Sequence, residues 1–136
     1  MNTQIKKCLL VDDDQDDREI FQIAVTETGN NIECYFHSNA IDAINSLKAK
    51  IYRPNIIFLD LNMPMMTGIQ CLIEIKKIEF ISQTPIIIYS TSSDPRFHSE
   101  ALMNGASAYI TKPHKLSELV SILKTTFKRE LGEMSS

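Results

Sequence analysis

Short apolar runs that favour β-strands alternate with helical segments along the whole chain. Five such runs are rich in β-branched and aliphatic residues: Ile5–Val11, Ile32–His37, Asn55–Asp60, Pro85–Ser90 and Ala108–Thr111. Strands separated by helix-sized segments are typical of a parallel sheet with helices on both faces. The run from Ile56 to Leu59 is apolar at every position, as expected for a central strand covered on both sides. The sequence therefore predicts an α/β fold with a five-stranded parallel sheet.

The segments between these strands carry apolar residues at helical steps of three and four. The predicted inward faces are Phe21, Ala24 and Val25; Ala40, Ile44 and Leu47; Ile69, Leu72 and Ile73; and Leu116, Leu119, Val120, Leu123 and Phe127. Gly29 and Gly105 stand where the first and fourth helices should end. Asp94 followed by Pro95 suits the start of the fourth helix, which we expect to run to about Asn104.

Composition limits the class of protein. With 136 residues and 43% apolar content, the chain is long enough for one domain around one buried core. Its net charge of −3 argues against a broad basic surface for nucleic acid or a membrane. It has no apolar run of about 18 residues, and its N-terminus lacks the apolar core of a signal peptide. Cys8, Cys34 and Cys71 are far apart in apolar segments, which favours a reducing cytoplasm over a disulfide framework or a zinc site.

Polar side chains follow the predicted strands at their carboxyl ends. Asp12 and Asp13 follow the first strand, Asp60 ends the third, Ser90 ends the fourth, and Lys112 follows the fifth. In a parallel sheet these ends share one edge, where ligands usually bind. Clustered carboxylates repel one another and need a cation or raised pKa values, and Mg²⁺ prefers such oxygen ligands. With a metal present, Asp60 could act as a nucleophile towards phosphorus, while Lys112 and Ser90 stabilise the phosphoryl oxygens.

Four motifs in this order resemble the receiver domains of response regulators in two-component signalling. They are Leu10-Val11-Asp12-Asp13, Phe58-Leu59-Asp60-Leu61-Asn62-Met63-Pro64 with Gly68, Ser90-Thr91, and Lys112-Pro113. The resemblance covers about residues 5–128. It implies a flavodoxin-like, doubly wound (βα)5 fold with strand order 2-1-3-4-5. We therefore expect residues 1–136 to form a single receiver domain with a core at about 5–128 and a short, frayed polar tail at 130–136.

The resemblance also implies the site residues. Asp60 corresponds to the phosphoacceptor of the family. The metal would be held by Asp60, by Asp13 directly, by Asp12 largely through water, and by the backbone carbonyl of Asn62. Mg²⁺ is therefore the expected cofactor.

The remaining implied residues bind or respond to the phosphoryl group. Lys112 corresponds to the phosphate-binding lysine, Ser90 to the switch hydroxyl and Tyr109 to the switch aromatic residue. Thr91 stands where the family often has alanine, and we expect its extra bulk to slow phosphate access or loss. Family members commonly hold the lysine–proline bond cis, so we expect a cis bond between Lys112 and Pro113.

The implied function is a signalling switch rather than an enzyme acting on other molecules. The protein would take a phosphoryl group from a sensor histidine kinase or a histidine phosphotransfer protein and lose it by slow hydrolysis. A downstream protein, not nucleic acid or a membrane, would detect the change. Because the chain ends at the fifth helix, we expect a stand-alone cytoplasmic receiver that is a monomer or a weak homodimer.

Four alternatives share parts of the pattern. A haloacid-dehalogenase phosphatase needs an aspartate two residues after its nucleophile, where this chain has Asn62. A flavin mononucleotide carrier needs a phosphate-binding loop where this chain has five aspartates between residues 12 and 17. A calcium-binding loop would need a glycine at Asp17 and a glutamate at Ile23. A phosphorylation-independent receiver is disfavoured by the complete set of site residues, but it stays open.

Overall fold

The computed structural model describes residues 5–132 and contains the predicted parallel sheet. Its strands are β1 (Lys6–Val11), β2 (Ile32–His37), β3 (Ile56–Leu59), β4 (Ile86–Ser90) and β5 (Ala108–Thr111). All four neighbouring pairs are parallel, and the order is β2-β1-β3-β4-β5. The expectation of a flavodoxin-like fold with strand order 2-1-3-4-5 is confirmed.

Helices cover both faces of this sheet. They are α1 (Gln15–Glu27), α2 (Ala40–Lys48), α3 (Gly68–Lys76), α4 (Pro95–Met103) and α5 (Leu116–Leu131), with a short 3₁₀ helix at Glu79–Ile81. Side chains of α1 and α5 pack on one face, around Phe21, Phe58 and Phe127. Side chains of α2, α3 and α4 pack on the other face. The central strands β3 and β4 are wholly buried, which explains their nearly continuous apolar sequence.

Local sequence signals set the helix ends. Asp14 accepts a hydrogen bond from the backbone N–H of Asp17 at the start of α1, and Asp94 caps α4 immediately before Pro95. Gly29 and Gly105 follow the ends of α1 and α4 with φ values of 77° and 101°. Residues other than glycine rarely adopt this left-handed backbone conformation. The predicted ends of the first and fourth helices are therefore confirmed.

Three details differ from the sequence prediction. Ile73 is 36% exposed because the buried stripe of α3 runs through Cys71, Leu72 and Ile75 instead. Leu116 is 38% exposed because it is the first residue of α5. Helix α5 continues to Leu131, so the first residues of the predicted polar tail are helical, and residues 133–136 lie outside the described part of the chain.

None of the helices within residues 5–132 is long and apolar enough to span a membrane.

Candidate functional site at the carboxyl edge of the sheet

The strand ends bring the predicted polar residues to one edge. The β1–β3 ladder pairs Val11 with Leu59, and the next residue, Asp60, donates its backbone N–H to the Val11 carbonyl at 2.9 Å. The backbone N–H of Lys112 similarly donates to the Ser90 carbonyl at 2.7 Å, just beyond β5. These backbone hydrogen bonds extend the sheet by one residue. They hold the backbone of Asp60 and Lys112, and so position both side chains at this edge.

Three carboxylates form an acidic cluster at this edge. One oxygen from each of Asp12, Asp13 and Asp60 lies within 4.8 Å of the others. Asp12 is fully buried and Asp60 is 7% exposed, whereas Asp13 is exposed. Burial, then the charge of Asp12, raise the pKa of Asp60 to about 7, although Lys112 works in the opposite direction. Clustered carboxylate oxygens repel one another and are the ligands that Mg²⁺ prefers, so this set of residues fits a Mg²⁺ site.

The ammonium group of Lys112 lies inside this cluster. Its Nζ atom is 2.8 Å from Asp12 Oδ2, 2.7 Å from Asp17 Oδ2 and 3.7 Å from Asp60 Oδ2. Burial disfavours the charged form of Lys112, but hydrogen bonds to Asp12 and Asp17 outweigh this and raise the pKa of the ammonium. A fixed positive charge therefore lies close to the Asp60 carboxylate.

Sequence reasoning missed two contributions to this cluster. Asp17 was not among the predicted site residues, yet its carboxylate accepts a hydrogen bond from Lys112. The guanidinium of Arg18 donates from Nη1 to the Asp12 carbonyl at 2.7 Å. The sequence indicated these contacts only through position. The helix that follows β1 starts close to the carboxyl edge of the sheet, so residues in its first turn lie near that edge.

The expected cis bond before Pro113 is wrong for this structure. All the peptide bonds between described residues are trans. A trans bond is intrinsically favoured by about 0.5–1 kcal/mol before proline. Lys112 reaches Asp12 and Asp17 with the bond trans, so the cis form is not needed to bring its side chain into the cluster.

The loop after Asp60 is positioned by a close contact between the backbone of Gly68 and the backbone of Asp60 and Leu61. The N–H of Gly68 donates to the Leu61 carbonyl at 2.8 Å, and a Cβ atom at residue 68 would collide with the Asp60 carbonyl oxygen and lie 2.8 Å from Leu61 Cα. Only glycine fits there. The loop leaves Asn62 exposed, with its N–H directed at Asp60 Oδ1 at 3.4 Å.

The predicted switch residues are connected through one intervening residue, Ser92. The Ser90 hydroxyl is buried and accepts a hydrogen bond from the Ser92 N–H at 3.2 Å. The Ser92 carbonyl in turn accepts one from the Tyr109 hydroxyl at 2.7 Å. The Tyr109 ring is half-buried, with its centroid 5.2 Å from that of His98 on α4, and Thr91 is exposed. Ser92 was not predicted, because its contribution comes from the backbone.

The raised pKa of Asp60 predicts a pH-dependent stability. An aspartate ordinarily has a pKa of 3.8, whereas the folded protein raises that of Asp60 to about 7. Between these values the folded state binds the proton more tightly than the unfolded chain does. Protonation of Asp60 therefore stabilises the folded state at low pH. This stabilisation, on the order of a few kcal/mol in the free energy of unfolding, is lost as the pH rises from about 4 to about 7.

We therefore expect Asp60→Asn to unfold with a shallower pH dependence than the wild type and to be more stable at about pH 8. Urea unfolding in the presence of a chelator measures both. The exposed Asp16 offers a matched control, and Asp16→Asn should keep the wild-type slope. Parallel profiles for Asp60→Asn and the wild type would contradict the burial argument.

Comparison with known proteins shows to which family the chain is similar. A sequence model of the response regulator receiver domain matches residues 8–124. The transcriptional regulatory protein PrrA of Mycobacterium leprae is 32% identical over 124 residues, which cover 90% of this chain and 50% of PrrA. The chain thus spans about half the length of the curated relatives it matches.

Solved structures share the whole fold. The phosphorylated cyanobacterial phytochrome response regulator RcpA superposes with a TM-score of 0.85 at 29% identity, over 94% of this chain and 95% of that one. The chemotaxis response regulator CheY4 of Vibrio cholerae gives a TM-score of 0.77 at 25% identity, over 90% and 98% of the two chains. With the predicted fold present and the family match covering most of its length, the chain belongs to the response regulator receiver domain family of two-component systems.

Proposed function

We propose that this protein is a phosphoacceptor switch that receives a phosphoryl group on Asp60 from a sensor histidine kinase or a histidine phosphotransfer protein. The observation that carries the proposal is the placement of Asp60, a nearly buried carboxylate within 4.8 Å of two other acids and 3.7 Å from the Lys112 ammonium. The structural neighbour RcpA was solved in a phosphorylated form, which supports the same chemistry here. The test is phosphorylation of the wild type and of Asp60→Asn by acetyl phosphate or a cognate kinase.

Asp60 would supply the nucleophile. One carboxylate oxygen forms a bond to phosphorus while the bond from phosphorus to the donor histidine nitrogen breaks, and the imidazole leaves with that electron pair. Lys112 would pair with the new phosphoryl oxygens, because its ammonium lies only 3.7 Å from the Asp60 carboxylate. Hydrolysis of the same acyl phosphate would reset the switch. Thr91 stands next to Ser90, where its exposed side chain would modulate access of water and donor.

The acidic cluster would hold Mg²⁺. Asp13, Asp60 and the Asn62 carbonyl are the proposed direct ligands, with Asp12 acting largely through water. The carboxylate oxygens within 4.8 Å of one another and the raised pKa of Asp60 both fit a site that needs a cation. When bound, the cation supplies positive charge that offsets the charges of the carboxylates and of the phosphoryl group.

Ser90 and Tyr109 would convert phosphorylation into a change of surface. A phosphoryl group adds a charge of about −1.5 to −2 and new acceptor oxygens. The Ser90 hydroxyl can donate to one of them by moving inward, which would disturb its bond from the Ser92 N–H and, through the Ser92 carbonyl, the bond from Tyr109. The surface formed by α4, β5 and α5 would then change shape, and a downstream protein would bind there. Helix α4 carries exposed apolar side chains such as Phe97 and Met103.

This coupling predicts that Ser90→Ala separates phosphorylation from its response. Beryllofluoride with Mg²⁺, which mimics the phosphoryl group, should shift the NMR signals of Tyr109 in the wild type. In Ser90→Ala, more than about half of that shift should disappear, because the hydroxyl donor is absent. The variant should still accept phosphate on Asp60.

The exposed neighbour Ser93 provides the matched control for this experiment. Ser93→Ala removes a hydroxyl from the same loop and should show the wild-type shift at Tyr109. A full Tyr109 response in Ser90→Ala would refute the hydroxyl–aromatic coupling while leaving the assignment of Asp60 intact.

A further inference from the structure

The ammonium of Lys112 is bonded to a residue outside the acidic cluster. It is 2.7 Å from Asp17 Oδ2 and 2.8 Å from Asp12 Oδ2, but 3.7 Å from Asp60 Oδ2. The last distance is too long for a hydrogen bond, whereas the first two are typical of charge-assisted bonds. The ammonium of Lys112 is therefore hydrogen-bonded to Asp12 and Asp17 and not to Asp60.

Helix α1 places Asp17 for this contact. The residue occupies the third helical position, where its backbone N–H donates to the capping side chain of Asp14 at 3.1 Å. Asp14 is held in turn through its own N–H, which donates to Asp12 Oδ1 at 3.0 Å. The side chain of Lys112 is only 9% exposed and that of Asp17 is 32% exposed. Water therefore screens this ion pair less than it screens an ordinary surface ion pair. We expect the pair to be stronger than the median surface ion pair, which contributes little to stability.

We propose that Asp17 is a positioning residue that restrains Lys112 in the unphosphorylated protein. This inference rests on the proposed function of Asp60 as the phosphoacceptor. A phosphoryl group on Asp60 has to draw the ammonium away from Asp17, or share it with Asp17, before Lys112 can pair fully with the phosphoryl oxygens. Asp17 also adds a negative charge near a site that receives an anion. Both effects oppose the phosphorylated state, and together they make the switch less sensitive to weak phosphate donors.

The test is the affinity of the wild type and of Asp17→Asn for beryllofluoride in the presence of Mg²⁺. The substitution keeps the shape of the side chain but removes its charge, so Lys112 becomes available to the mimic. We expect Asp17→Asn to bind beryllofluoride about three- to tenfold more tightly and to accept phosphate from acetyl phosphate correspondingly faster. Damage to the fold would lower the affinity, so a gain distinguishes release of Lys112 from a structural effect.

Two further variants isolate the contact. Asp16→Asn removes the same charge from the neighbouring exposed residue and should leave the affinity near that of the wild type. Asp17→Glu retains a carboxylate for Lys112 and should also stay near the wild-type value. A structure of Asp17→Asn without the mimic should show Lys112 Nζ within hydrogen-bond distance of Asp60.

The outcomes separate this inference from the proposed function. If the wild type takes up phosphate on Asp60 but Asp17→Asn shows equal or weaker beryllofluoride binding, the role of Asp17 is wrong and the phosphoacceptor assignment stands. An equal gain in Asp16→Asn would also overturn it, because general charge rather than the Lys112 contact would then explain the effect. If the wild type neither binds beryllofluoride nor accepts phosphate, the proposed function itself fails.

Discussion

Asp60→Asn should lose phosphorylation by acetyl phosphate or a cognate histidine kinase by about 10³-fold or more, equivalent to about 4 kcal/mol in the barrier. The reason is chemical, because a carboxamide is not a nucleophile towards phosphorus. The substitution keeps the size of the side chain and removes a buried charge close to Asp12, so we expect the variant to fold. Intact-mass spectrometry or labelled phosphate, measured over time, gives the rate directly.

The matched control for this experiment is another aspartate-to-asparagine change outside the site. Asp42 lies exposed on α2, and Asp42→Asn should be phosphorylated at the wild-type rate. The phosphoryl group on the wild type should also behave as an acyl phosphate, stable in acid and labile in base. Undiminished labelling of Asp60→Asn would place the phosphoacceptor elsewhere and remove the basis of the proposed function.

Removing the metal should have the second largest effect. With excess chelator, we expect phosphorylation of the wild type to slow by about 10²-fold or more, because a bound cation contributes several kcal/mol of charge stabilisation in such reactions. Asp13→Asn should weaken Mg²⁺ binding by about ten- to a hundredfold, since it changes a proposed direct ligand. Titration with Mg²⁺, followed by NMR or by fluorescence of an added probe, measures this affinity.

The neighbouring residue Asp14 gives a control with the same change of charge. Asparagine is as good as aspartate at the start of a helix, so Asp14→Asn should preserve the cap of α1 and bind Mg²⁺ nearly as the wild type does. Equal losses in the two variants would indicate a general charge effect rather than a ligand at Asp13. Normal phosphorylation in excess chelator would refute the role of the cation.

The sheet could be predicted from sequence because each of its strands has a distinct local pattern. The run from Ile56 to Leu59 is buried at every position in the structure, as its uninterrupted apolar sequence indicated. Once the strands are parallel, residues that follow their carboxyl ends must share an edge. Asp12, Asp60 and Lys112 were predicted to meet for this reason, and the structure brings them together.

Contacts that depend on side-chain direction could not be predicted in the same way. Asp17 and Lys112 are 95 residues apart, and an acidic residue in the first turn of a helix is usually explained by the helix dipole. Ser92 acts through its backbone, so its residue type carries no signal. Ile73 was misplaced because several apolar residues in α3 fit more than one helical face, and only tertiary packing selects between them.

The position of the phosphoryl group can be determined by trapping it on the wild-type protein. Borohydride reduces an aspartyl phosphate to homoserine, and sequencing of the resulting peptides by mass spectrometry identifies the altered residue. We predict that homoserine appears at position 60 after incubation with acetyl phosphate and Mg²⁺, and that it is absent when the metal is chelated. Homoserine at another aspartate, or no reduced residue in protein that carries phosphate, would contradict the assignment of Asp60 as the phosphoacceptor.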